Sequence, residues 1–466
     1  MRLFHQLFMI VVFGLSVRAA EKPNIVYILA DDLGYGDLSC FGQSTLTTPH
    51  LDELAARGMK LTRHYAGSTV CAPSRCVLMT GKHTGNATVR GNGEVLLKAD
   101  DITIAQKLKE VGYATGCFGK WGIGHPPERG EPNRFGFDEF YGYVNMFHAH
   151  NFHPEFLIRN GEVEKLNNVL DDPWRLEDGY EMGGPREGAG VAKVKTDYAP
   201  HLITKEALRF IDRNAGNPFF VYFALNMPHT NNEAGRPPYL NGMEVPDYGE
   251  FAGKDWPDPE KGFAEMMRIV DDYIGQVVAK LEEHGLSENT LIVFSSDNGP
   301  HEEGGHLAEF FDSNGNLRGT KRDLFDGGIR VPTIATWPGK IKAGTESDLL
   351  SGFQDMFPTF AEIAGFEPPA DLDGISLVPT LFGDPGDQKD HEFLYWEFLE
   401  RGGKKAVTTT KWKAIQLDTM KPEPRATLLF DLEADPSETT DVAADYPEVV
   451  REMEAWIETS HTPPTP

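Results

Sequence analysis

Four short apolar runs in this chain each stop at a polar cluster, and that punctuation limits the folds open to it. "NIVYILA" (24–30) gives way to Asp31 and Asp32, and "YATGCFG" (113–119) gives way to Lys120. "PFFVYFALN" (218–226) runs into "MPHT", which carries His229, and "TLIVFSS" (290–296) into Asp297, Asn298 and Gly299. Each run has strand length and carries β-branched or aromatic residues without clean alternation, the pattern of strands buried on both faces. Between them lie helical segments. "TPHLDELAARG" has Thr48 as cap, Pro49 in the first turn and Gly58 as stop, while "LITKEALRFIDRNA" and "FAEMMRIVDDYIGQVVAKLEEHG" repeat apolar residues at three and four. Strands alternating with helices predict an α/β fold, a large and mostly parallel mixed sheet sandwiched by helices. Ligand sites in such sheets form beyond the carboxyl ends of the strands. Asp31, Asp32, Lys120, His229, Asp297 and Asn298 all fall at such ends.

Two stretches, roughly 125–198 and 230–262, read as long irregular loops, which usually line sites. Past "VPTLFGDPGDQKD" the texture changes to short alternating runs and a final helical pattern, "YPEVVREMEAWIET". A smaller C-terminal subdomain of antiparallel sheet plus helix is therefore expected at 386–466, after a catalytic domain at 20–385. Residues 1–19 read as a signal peptide. Arg2 makes a positive start, Leu7 to Leu15 is an apolar segment too short to span a bilayer, and Val17-Arg18-Ala19 fits a cleavage site. The expectation is an exported protein, periplasmic or secreted, with no membrane partner.

The formal net charge of −27 over 466 residues excludes a nucleic-acid partner, which needs a basic face. An anionic substrate would need local positive charge against that field. The cysteines, Cys40, Cys71, Cys76 and Cys117, are too few for a disulfide scaffold. Cys71 and Cys76 lack redox spacing, and no Cys/His cluster has zinc-finger spacing.

Asp31-Asp32 alone could be a turn or a pair of hard oxygen ligands, and Asp297-Asn298-Gly299 alone could be a tight turn. Acidic pairs at the ends of two buried strands would repel each other without a cation, so together they point to Ca²⁺ or Mg²⁺. Arg75, Lys120 and Lys321 suit contacts to an anion. His229 suits a general acid or a structural histidine. "HAHNFHP" places His148, His150 and His153 in the first long loop, where substrate contact is the favoured role. "CAPSRC" (71–76) opens a helix at Ala72-Pro73 and puts Cys71 just before it, where helix N–H groups favour an anion or an activated nucleophile.

Cys71, Pro73, Ser74 and Arg75, followed by Thr80-Gly81, make a C-x-P-S-R motif. With "NIVYILADDLGYGDL", "GYATGCFGKWGIG", "FFVYFALNMPH", "IVFSSDNGPH" and "GTKRDLFDGGIRVP" in order, the chain resembles the type I sulfatases of the alkaline phosphatase superfamily from about residue 22 onward. The resemblance implies that a separate maturation enzyme oxidises Cys71 to formylglycine, whose hydrate attacks sulfur. It implies one Ca²⁺ held by Asp31, Asp32, Asp297, Asn298 and residue 71. It gives Arg75 the task of holding residue 71, Lys120 and Lys321 the sulfate oxygens, and His229 or Lys321 the leaving-group proton. Many relatives carry a histidine two residues after the lysine. Here that position is Gly122, so His125, His148 and His150 become candidates for its role. The stretch "GYVNMFHAHNFHPEFLIRNGE" resembles carbohydrate sulfatases, some acting on 4-sulfated galactose or N-acetylgalactosamine. The acidic charge favours exo action on a terminal sugar of a sulfated glycan. A phosphate or phosphonate monoesterase and a catalytically dead glycan-binding relative are the rival readings.

Overall fold

The computed structural model describes residues 22–93, 95–171 and 180–463. The segment read as a signal peptide lies outside them. The main sheet has ten strands. At its centre Asn24–Asp31 pairs in parallel with Phe219–Pro228 on one side and Thr290–Ser296 on the other. Ala114–Lys120 adds in parallel to Phe219–Pro228, and Glu139–Tyr143 to Ala114–Lys120. Antiparallel strands extend both edges: Thr333–Thr336 and Met59–Leu61 on one side, Phe156–Arg159 and Glu162–Lys165 on the other. The four apolar runs are thus the four central parallel strands, and their carboxyl ends share one edge of the sheet.

Alternate residues of the first strand enter two different cores. Ile25, Tyr27 and Leu29 face one, with Cys76, Val77 and Phe357; Val26, Ile28 and Ala30 face the other, with Phe210, Phe263 and Met267. Helices Cys71–Thr80, Ile104–Glu110 and Met356–Ala364 cover the first face. Ala199–Asn214 and Asp258–Glu283 cover the second. The long helix buries Phe263, Met267, Val270, Ile274, Val277 and Leu281 along one stripe, as the sequence spacing requires. Burial on both faces is why these strands read as unbroken apolar runs.

The stretch at 125–198 is less irregular than its sequence suggests. It holds Glu139–Tyr143, Phe156–Arg159 and Glu162–Lys165, which complete the main sheet. Strands of four and five residues broken by glycine and histidine leave no run long enough to recognise. Apart from a single 3-10 turn at Gly249–Phe251, the stretch at 230–262 is irregular up to Pro257, where Pro257 and the first-turn acids Asp258 and Glu260 start the long helix before Gly262.

The C-terminal part is a four-stranded antiparallel sheet: Leu394–Phe398, Lys404–Thr408, Trp412–Leu417 and Leu428–Asp431. Helix Pro447–Thr459 packs on one face through Met453 and Ile457. The other face sets Trp396, Ile415 and Phe430 against Tyr65, Leu324, Phe325 and Ile329. Among the described residues no helix is long and apolar enough to cross a membrane.

Candidate active site

The sheet's carboxyl edge gathers the charged residues that its strands end on. Asp31 closes the first strand and Asp32 follows it with a positive φ of 65°, which turns its carboxylate back toward Asp297 and Asn298. Asp297 Oδ1 accepts from the Asp32 backbone N–H at 3.1 Å, and Asn298 Nδ2 donates to Asp32 Oδ1 at 2.7 Å. Cys71 is the first residue of its helix rather than the residue before it. The extended backbone of Val70 lets the helix begin one residue before Ala72. Single ligand atoms of Asp31, Asp32, Cys71 and His229 all lie within 4.8 Å of one another.

Cations are interleaved with these acids. Lys120 Nζ donates to Asp31 Oδ2 and Lys321 Nζ to Asp32 Oδ2, each at 2.7 Å. Arg75 donates from Nε to Asp297 Oδ2 at 2.9 Å and from Nη1 to the Lys120 carbonyl at 2.5 Å. His229 Nδ1 donates to the Thr230 carbonyl at 2.7 Å. Its Nε2 therefore carries the lone pair and lies 3.1 Å from Lys321 Nζ.

The electrostatics fit a bound cation. Burial alone would raise the Asp31 and Asp32 carboxyls, but the lysines lead the charges that hold both below the ordinary range. Asp297 is different: burial, then the charge of Asp31, pushes it up to about 7. Asp31 Oδ1 and Asn298 Oδ1 are buried acceptors without a hydrogen-bond donor among the described residues. With Asp297 ionised, three carboxylates balance Arg75, Lys120 and Lys321, and an anionic substrate would then leave the site negative unless a divalent cation joins it. Hard oxygen donors suit Ca²⁺ or Mg²⁺. Burial also raises the Cys71 thiol to about 11, so an unmodified Cys71 is not a thiolate nucleophile at neutral pH.

The remaining histidines separate by place. His150 stacks on His229 with ring centroids 4.6 Å apart and planes at 14°. His148 instead pairs its Nε2 with the Phe156 carbonyl at 2.9 Å and lies against the Phe156 ring, inside the fold. His125 is half-buried, with Nε2 3.2 Å from the Gly93 carbonyl. His153 packs on Tyr198. Gly122 has φ +78°, and a Cβ there would lie 3.1 Å from Arg75 Cδ; the conformation and the space suit glycine. Sequence reasoning passed over Glu233, His301 and Glu303. His301 Nε2 lies 3.1 Å from the Pro228 carbonyl, and Glu303 Oε1 pairs with Arg322 at 2.7 Å. Their only signal was position, shortly after His229 and Asn298.

Fold and site together define an α/β protein with a buried cluster of interleaved acids and cations at the carboxyl edge of its sheet. The chain belongs to the sulfatase family: the family described as Sulfatase matches residues 23–366. A second family, described as N-sulphoglucosamine sulphohydrolase, C-terminal, matches residues 319–462. The chain is 31% identical to an N-acetylgalactosamine-6-O-sulfatase of Bacteroides thetaiotaomicron, over 95% of this chain and 94% of that one. A solved Bacteroides thetaiotaomicron structure titled for the metabolism of multiple glycosaminoglycans superposes with a TM-score of 0.75 at 27% identity, covering 94% and 99%. The solved structure of Ps i-CgsB with k-i-k-neocarrahexaose gives 0.76 at 27% identity, covering 96% and 94%. The protein is a sulfuric ester hydrolase.

Proposed function

We propose that the protein removes sulfate from a sulfated carbohydrate, acting on a terminal sugar. The convergence of Cys71 with Asp31, Asp32 and His229 beneath Lys120 and Lys321 carries this reading. The sugar comes from the similar proteins, one named as an N-acetylgalactosamine-6-O-sulfatase and another solved with k-i-k-neocarrahexaose. The first of those names favours position 6 over the position 4 expected from the sequence. The N-terminal segment directs export, and a maturation enzyme reads Cys71, Pro73 and Arg75.

Asp31, Asp32, Asp297 and Asn298 would hold Ca²⁺, a Lewis acid that stabilises developing negative charge. Cys71, once converted to formylglycine and hydrated by water, would supply the nucleophilic hydroxyl oxygen that a neutral thiol cannot. Arg75, fixed between Asp297 and the Lys120 carbonyl, holds residue 71 in place. Lys120 and Lys321 offer their ammonium groups to the sulfate oxygens. The contact between Lys321 Nζ and His229 Nε2 supports a role for one of these two groups in protonating the leaving alcohol oxygen. His150, parallel to His229, lines the same space.

The test is a panel of defined sulfated mono- and disaccharides, with matched phosphate esters, given to matured enzyme. Sulfate release from a 6-sulfated galactose-type sugar, abolished in Cys71→Ala, is the expected result. A preference for phosphate or phosphonate esters in kcat/KM, or undiminished sulfate release by Cys71→Ala, would overturn the reading.

A further inference from the structure

Beside the site, two buried polar atoms face each other and have no hydrogen-bond partner among the described residues. They are Nδ1 of His150 and Oε2 of Glu233, 3.9 Å apart. Glu233 is anchored on its far side. Its Oε1 accepts from the Tyr180 hydroxyl at 3.4 Å, and its backbone N–H donates to Asn231 Oδ1 at 3.1 Å. The carboxylate is thus held at one oxygen and presents the other to the ring.

The ring it faces belongs to the reaction centre. His150 lies parallel to His229, and Lys120, Lys321 and Asp31 all act on it electrostatically. Burial first, then His229 and the two lysines, keeps the imidazole neutral. A neutral imidazole carries one N–H, and which nitrogen carries it decides what the ring offers. At 3.9 Å the two atoms stand beyond hydrogen-bond length, so the pairing requires the ring or the carboxylate to move toward the other.

The geometry points to Glu233 as a positioning residue that accepts the Nδ1–H of His150 and so leaves Nε2 of that ring as a proton acceptor in the active site. This rests on the sulfatase reading, in which Gly122 leaves one imidazole of the site unassigned. The logic is that of any carboxylate–imidazole pair, in which the acid fixes tautomer and orientation without touching substrate.

Two measurements test it. The first needs no turnover. The tautomer of His150 is read by NMR in the full chain with ring-¹⁵N-labelled histidine and Cys71 unconverted, its signal assigned by its loss in His150→Gln. The Nδ1–H form is expected in the wild type. Glu233→Gln keeps the volume, but its amide can donate to Nδ1, so the Nε2–H form is expected there. The second measurement is kinetic, on matured enzyme with a small aryl sulfate. Glu233→Gln should lower kcat about 10- to 100-fold, as loss of an orienting partner commonly does, with KM within about twofold. In a His150→Gln background the same change should cost nothing further. An unchanged tautomer in Glu233→Gln, full kcat, or an equal loss in both backgrounds would overturn the assignment. A wild-type enzyme that releases sulfate from no ester would overturn the functional reading instead and leave the tautomer result standing.

Discussion

Arg75 closes on Asp297 with two nitrogens, Nε at 2.9 Å and Nη2 at 2.8 Å, both on the same oxygen, Oδ2. Both side chains are fully buried. The pair ties the Cys71–Thr80 helix to the end of the Thr290–Ser296 strand, and so ties residue 71 to the acidic cluster.

Arg75→Lys keeps the charge but loses the planar fork. A lysine cannot serve Asp297 and the Lys120 carbonyl together, so a buried carboxylate is left poorly paired. Removing one partner of a buried pair outright costs about 3–5 kcal/mol, the upper bound for a change that keeps the charge. Thermal or urea unfolding should show a loss within that bound, and sulfate release should fall to background. Wild-type stability in Arg75→Lys would show that the pair does not lock the helix to the strand.

On the proposed metal site, divalent metal should stabilise the fold, since the ligands converge only in the native state. At free Ca²⁺ a hundredfold above its Kd the gain is about 2.7 kcal/mol. Tm should drop on chelation and recover with Ca²⁺, and Asp31→Asn should flatten that response. A Tm indifferent to chelator and to added Ca²⁺ would show that the cluster holds no stabilising metal.

Much of this arrangement was legible in the sequence because the site residues sit at the ends of the most recognisable elements. Asp31, Lys120, His229 and Asp297 each follow a run whose apolar content marks a buried strand, and parallel strands deliver their ends to one edge. The histidines of "HAHNFHP" were not separable in this way. Three of them lie within six residues, yet His150 stacks on His229 while His148 turns to the Phe156 carbonyl and His153 to Tyr198. Their directions follow from a short helical turn at Met146–Ala149 and from Phe156–Arg159 joining the sheet. Both elements are too short to leave a periodic trace. Glu233 was invisible for a related reason, since its partner lies on another loop.

Lys413 tests how the C-terminal sheet is held to the catalytic part. Its ammonium is fully buried, 2.7 Å from Asp326 Oδ1 and 3.0 Å from Glu438 Oε1. Asp326 begins a short helix in the "GTKRDLFDGGIR" segment that carries Lys321, and it also accepts from the Tyr65 hydroxyl. Lys413→Met fills the volume but leaves Glu438 without its cation and Asp326 with only Arg330, 3.4 Å away. A loss of about 3–5 kcal/mol is expected, together with weaker sulfate turnover as the Lys321 loop loosens. Full activity at reduced stability would confine Lys413 to holding the two parts together.

His391 and Asp355 give a pH signature away from the chemistry. His391 Nε2 lies 2.7 Å from Asp355 Oδ1, which also accepts from the Ile375 backbone N–H, while Asp355 Oδ2 accepts from Gly352. Burial opposes a charged imidazole here, but the charge and hydrogen bond of Asp355 outweigh it and raise the His391 pKa above its ordinary value. The unfolded chain titrates near 6.5. A histidine raised on folding binds its proton more tightly in the native state, so its contribution is fully present below about pH 6.5 and is lost as pH rises through the higher folded value. His391→Gln should therefore cost most stability near pH 6, and the gap to wild type should narrow toward pH 9. Melting curves of the two proteins across that range decide it. A gap that stays constant, or widens on the alkaline side, would mean that His391 packs against Asp355 as a neutral ring.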